Sequence, residues 1–217
     1  MSGPDPTPVT GWRAWNLSGG ATPLLHPVSV DGAPWSPREP FEARCESASL
    51  VQRWWPHEAP ARRCRCGIYA ARSLDDFDRP RPAWPPAAVV GTASLWGRVI
   101  EHDRGWRASS AYPSRVRLVC VMCAWFEPGP GEPVIVHAFG RRVYPLCDIH
   151  RSGIEVPDGR TSVPTDEDPR ELQVRLLDTY AIDLLPVEAV ERLFRLPATP
   201  EPPSYWPSIR VARRRAH

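Results

Sequence analysis

Polar and apolar positions first alternate in GWRAWNL, residues 11–17. Trp12, Ala14 or Trp15, and Leu17 sit between polar neighbours, which predicts a short half-buried strand. GIYAAR, residues 67–72, predicts a second strand, because Ile68 and Tyr69 favour pleated backbone. The strongest β pattern is VVGTASLWGRVIEHDRGWRASSAYPSRVRLVCV, residues 89–121. It reads as a strand, a turn at Asp103-Arg104-Gly105, a second strand, a break at Pro113 and a third strand. Ala93, Leu95, Gly97, Val99 and Glu101 share one face and Val90, Ser94, Trp96, Arg98 and Ile100 the other. Apolar residues on both faces predict a strand buried on both sides. PVIVHAF and RRVYPL form a hairpin pattern around Gly140.

The final third changes period. Asp168 before Pro169 is a helix start, with a capping side chain and a proline in the first turn. Leu172, Leu176 and Tyr180 then recur at helical spacing. Pro186 opens a second short helix, VEAVERLFRL, with Val187, Val190, Leu193 and Phe194 on its apolar side. Residues 29–40, 73–87 and 151–167 are loops or connectors by their polar, proline and glycine content. The predicted organisation is a disordered tail (1–10), a β-rich domain with a first metal site (11–119) and a zinc-ribbon-like module (120–155). A helical segment (156–197) and a proline-rich basic tail (198–217) follow. The fold class is α+β: mainly antiparallel β, as a small barrel or sandwich, with two structural zinc sites and two C-terminal helices.

Composition adds that 217 residues with 42% apolar content can bury a real core. All 27 residues counted as Lys+Arg are arginines, and 28 residues are proline, which fits GC-rich coding. A net charge of +2 supplies no large field for phosphate backbones, so nucleic-acid affinity requires a local patch. No apolar run is long enough for a membrane span. The N-terminus MSGPDPTPVTGW lacks signal-peptide features, so the expected location is cytoplasmic.

In a reducing compartment six cysteines point to metal or redox chemistry rather than disulfides. Cys120, Cys123, Cys147 and His150 form C-x2-C-x23-C-x2-H, with the predicted hairpin between the two halves. That is the pattern of a structural Cys3His zinc site. A thioredoxin-like redox pair would need the C-x-x-C at a helix start, which the strand-rich context does not predict. Cys64 and Cys66, one residue apart, cannot comfortably bridge to each other. With Cys45 and His57 they give C-x11-H-x6-C-x-C, a second complete ligand set. His102, at a hairpin end, competes with His57 as fourth ligand. Two zinc ions are the expected cofactors. His26, His137 and His217 read as ordinary surface or strand positions.

Deaminase, H-E-x-x-H, Walker, dinucleotide-binding and G-x-S-x-G patterns are all missing. Glu101 and His102 could in principle serve acid–base chemistry, but an exposed hairpin tip is the favoured reading, since titratable residues cluster at turns. The expectation is a non-enzyme, with a zinc-dependent enzyme as the remote alternative. Arg53, Arg62, Arg63 and Arg65, interleaved with Trp54, suit phosphate clamping and base stacking in nucleic acid, DNA or RNA. Arg141, Arg142, Arg213, Arg214 and Arg215 could extend that surface. The rival partner is another protein, with the same residues as hot spots of an adaptor. A helix-turn-helix reading of the last two helices is disfavoured by the long apolar connector AIDLLP.

GWRAW, CRCGIYA, VVG with LWGRVIEH, and GWRA together resemble a recurring pattern in uncharacterised proteins of high-GC Gram-positive bacteria, over about residues 11–112. The resemblance implies a shared fold for that part and no particular activity. The strands of VVGTASLWGRVIEHDRGWRASSAY are also similar to the barrel strands of PUA-like and ASCH-like RNA-associated domains.

Overall fold

The computed structural model describes residues 7–28, 32–45, 57–76, 86–154 and 160–195. The first alternating segment forms β1 (Val9–Ser18), which runs antiparallel to β2 (Leu24–His26). After β3 (Phe41–Glu42) and β4 (Ile68–Ala71) comes the dominant hairpin, β5 (Val89–His102) and β6 (Gly105–Leu118), turned at Asp103-Arg104. A second hairpin pairs β7 (Ile135–Phe139) with β8 (Arg142–Leu146), and β9 (Val163–Pro164) adds to β7. β10 (Asp183–Leu184) lies parallel to β6. The helices are α1 (Val121–Trp125), α2 (Pro169–Tyr180) and α3 (Glu191–Arg195), with a 3-10 turn at Val187–Ala189.

The strands curl into a partial ring. β5 pairs with both β1 and β6, while β4 pairs with β6 along its length and meets β1 only at Ala71↔Trp12. The ring is therefore not a clean barrel. β1 continues past it to touch β8 at Ser18↔Arg142, which links the second hairpin to the same body. Among the described residues no helix is long and apolar enough to cross a membrane.

Pro113 does not break the strand as its missing N–H predicts. Ala93 pairs with Pro113 and Thr92 with Arg115, leaving Ser114 as a bulge residue at which the ladder absorbs the proline. Ser114 Oγ lies 2.9 Å from Thr92 Oγ1 and donates to the Thr92 carbonyl. A second bulge sets Gly97 and Arg98 against Ser109. Burial along β5 also differs from expectation. Gly91, Ala93 and Leu95 are buried, Thr92, Ser94 and Trp96 half-buried, and the strand emerges into solvent beyond the second bulge. Val89 and Val90 are both buried, so the strand is enclosed on both sides only at its start; from Gly91 to Trp96 one side carries the core and the other is half-buried.

Asp168 caps α2 as expected, its carboxylate accepting from the Arg170 and Glu171 N–H groups. Leu172, Leu176 and Tyr180 are buried. The Tyr180 hydroxyl donates to the Trp35 carbonyl (2.6 Å) and accepts from the Leu25 N–H (2.9 Å). Trp35 meets Trp15 edge-on at 5.6 Å and stacks on Phe41 at 4.9 Å. This aromatic group anchors the segment that leads into Cys45. The second helical pattern splits into the 3-10 turn and α3, and of its apolar side Val190, Leu193 and Phe194 are buried while Val187 is half-buried.

Candidate metal centres

Each cluster is assembled from two chain segments that carry their own geometry. Cys120 is the N-cap of α1 and Cys123 lies on its first turn. Cys147 and His150 follow β8 in a turn closed by the His150 N–H on the Cys147 carbonyl, 3.1 Å. The C-x-x-C therefore does sit at a helix start, contrary to the sequence expectation. The redox reading is answered instead by convergence, because all four side chains are buried and face one point. Cys123 Sγ is 3.6 Å from Cys147 Sγ, and His150 Nδ1 is 3.5, 3.5 and 3.2 Å from the sulfurs of Cys120, Cys123 and Cys147.

The other cluster joins Cys45, His57, Cys64 and Cys66, all half-buried. Cys45 Sγ lies 3.7 Å from Cys64 Sγ, and His57 Nε2 lies 3.3 Å from Cys66 Sγ. None of the six cysteines is joined in a disulfide. A disulfide would bring sulfurs to about 2.05 Å. A tetrahedral zinc with Zn–S of about 2.3 Å and Zn–N of about 2.0–2.1 Å sets S···S edges of ~3.8 Å and S···N edges of ~3.6 Å. The sulfur spacings match, and the sulfur–nitrogen spacings are equal or slightly shorter. Both clusters could thus hold a metal ion with four protein ligands.

The sequence did not reveal what holds these ligands. His150 Nε2 contacts Glu127 Oε1 at 2.8 Å, fixing the tautomer that presents Nδ1 to the cluster. The only cue was a carboxylate shortly after the C-x-x-C. Gly129 leaves room that nothing else could: a Cβ there would stand 2.6 Å from Cys123 Sγ. At the first cluster the organiser is Arg107 of β6, which is buried. Its Nη1 donates to the carbonyls of Cys64 and Cys66, and its Nε donates to His102 Nε2 at 2.8 Å. His102 is thereby engaged away from the cluster, and His57 is the histidine that completes it. Gly67, with φ of +120°, turns the chain from Cys66 into β4 in a conformation side chains resist.

Protonation follows from this crowding. The Cys66 backbone N–H holds the Cys64 thiol down at about 6, with hydrogen bonds from Cys66, Cys45 and His57 adding to it, while burial pushes the Cys66 thiol up. In the buried cluster hydrogen bonds to Cys120 and Cys147 raise the His150 imidazole to about 10. Bonds from Cys120 and Cys123 pull Cys147 far down, and the thiols around Cys123 push it up. A metal binding at either cluster would displace protons from its thiol ligands.

The proposed binding residues separate in space. Arg62, Arg63 and Arg65 surround the C-x-C turn and are exposed; their guanidinium groups make no hydrogen bond or ion pair among the described residues, while the Arg65 carbonyl accepts from the Tyr69 hydroxyl at 2.8 Å. Arg141 and Arg142 lie on the β7–β8 hairpin, away from that turn; Arg141 is exposed, but Arg142 is half-buried with Nη1 enclosed and without a hydrogen-bond partner. Arg142 is therefore a poor extension of the surface. Arg53, Trp54, Arg213, Arg214 and Arg215 lie outside the described residues, as does His217. His137 is not a surface position: it is buried, with Nδ1 at 3.1 Å from Ser162 Oγ and Nε2 at 3.1 Å from the Arg151 carbonyl. Comparison with family models, with curated proteins and with solved structures finds no match.

Proposed function

We propose that the protein is a zinc-stabilised, non-catalytic regulatory module that binds single-stranded nucleic acid through the arginines of its first metal turn. Zinc is the metal that best suits two sets of three thiolates and one imidazole at tetrahedral spacing. Both sets supply four side chains, the arrangement of a structural ion, whereas a catalytic zinc keeps a position for water.

The observation that carries the nucleic-acid reading is the exposure of Arg62, Arg63 and Arg65 without acidic partners among the described residues, on a turn that Arg107 and the metal ligands hold rigid. Guanidinium groups fixed in advance lose little freedom on meeting phosphate. Tyr69, 49% exposed on the adjoining strand, offers a ring for base stacking.

The test is binding of the zinc-loaded protein to DNA and RNA oligonucleotides at two salt concentrations. Single strands should bind with a clear salt dependence. Replacing all three arginines by serine should weaken binding and lower the slope by about 2, at roughly 0.7 per phosphate contact. Salt-independent binding, or none, would turn the reading toward a protein-binding adaptor.

A further inference from the structure

Beside the first metal turn lies a cavity of about 650 Å3, within the range of about 300–1,000 Å3 for small-molecule sites. Its walls include the rings of Trp12, Tyr69 and Trp106, and Arg62, Arg63 and Arg65 stand among its lining residues. Among the described residues that line it, Asp76 is the single acidic one. Arg13 also borders the space, and its Nη1 donates to the Tyr69 carbonyl. The cavity thus combines flat aromatic surface with an excess of positive charge.

We propose that this cavity receives one unstacked nucleotide unit, with its base among Trp12, Tyr69 and Trp106 and its phosphate at Arg62, Arg63 and Arg65. The proposal rests on the nucleic-acid reading above and names where that ligand seats. A planar heterocycle fits the aromatic walls. Three guanidinium groups without partners among the described residues suit a phosphate. A base held within a duplex cannot enter such a space without leaving its stack. The same chemistry is presented by a free nucleoside monophosphate and by one residue of a single strand.

Isothermal titration of the zinc-loaded protein would use adenosine and uridine 5′-monophosphates, an oligothymidylate octamer, and an abasic octamer of equal backbone charge. The octamer should bind at least about tenfold more tightly than its abasic counterpart, since each stacked base contributes substantially. Ala71→Phe, which fills the cavity from β4, should abolish that preference while leaving salt-dependent binding in place. Tyr69→Ala, at an exposed position, should reduce the preference even if Ala71→Phe fails to fold, and metal content and melting curves identify such a failure. Mononucleotide binding without octamer binding would assign the cavity to a free nucleotide and overturn the strand-binding reading alone. Octamer binding that is lost with the arginines yet is indifferent to the base and to both cavity variants would overturn the cavity proposal alone. Absence of all binding would overturn both.

Discussion

Removing the carboxylate that orients His150 tests the buried metal centre without touching a ligand. Glu127 Oε1 stands 2.8 Å from His150 Nε2, and the imidazole is almost wholly enclosed, at 3% exposure against 49% for the Glu127 side chain. Glu127→Gln keeps an acceptor for the Nε2–H but loses the charge that makes the imidazole more basic. Glu127→Ala loses both and leaves a buried donor to recruit water. Partners of this kind contribute about 10–100-fold to metal affinity, or about 1.4–2.7 kcal/mol. The glutamine variant should fall near the lower bound and the alanine variant near the upper. The assay is zinc competition with a chromogenic chelator at fixed pH, following two release phases. The first cluster, half-buried, should release its ion in the faster phase, and only the slower phase should respond to Glu127. Unchanged affinity in both variants, or a response confined to the faster phase, would refute Nδ1 ligation by a carboxylate-oriented His150.

Gly129→Ala places a methyl group 2.6 Å from Cys123 Sγ. Metal analysis should show loss of one ion of two, with the first cluster still loaded. Tyr180→Phe keeps the ring but strips hydrogen bonds from the Leu25 N–H and the Trp35 carbonyl. It should cost about 1–3 kcal/mol in denaturant unfolding without changing zinc content. Burial, and secondarily Arg142, holds His26 down to about 4, and burial also lowers His137. Both are held neutral by the fold, so the stability they contribute is present above about pH 6.5 and is lost as pH falls through their folded values. Unfolding free energy should drop between about pH 6.5 and 4, and His26→Gln should flatten part of that slope.

How much was legible depends on the distance over which each interaction acts. The α2 cap at Asp168, the hairpin turns at Asp103-Arg104 and Gly140, and the ligand pairs Cys64–Cys66, Cys120–Cys123 and Cys147–His150 are made by residues a few positions apart. Their geometry is set by backbone chemistry that the order of residues encodes directly. Pro113 was misread because its tolerance depends on the partner strand, where Thr92 and Ala93 open a bulge. The helix start at Cys120 was missed because α1 is a single short turn inside an apolar run, with no capping side chain to announce it.

The sequence by itself determined that six thiols and two imidazoles suffice for two tetrahedral sets, since ligand type and short spacing are local properties. Only the tertiary structure decided between His57 and His102, because that choice belongs to Arg107, a β6 side chain that engages His102 while gripping the Cys64 and Cys66 carbonyls. It likewise decided that Glu127 and Gly129 serve the buried centre, and that Arg62, Arg63 and Arg65 surround a cavity walled by Trp12 and Trp106. These are contacts between residues far apart in the chain. They arise when β1, β4, β5 and β6 curl together, and no local pattern specifies that curvature.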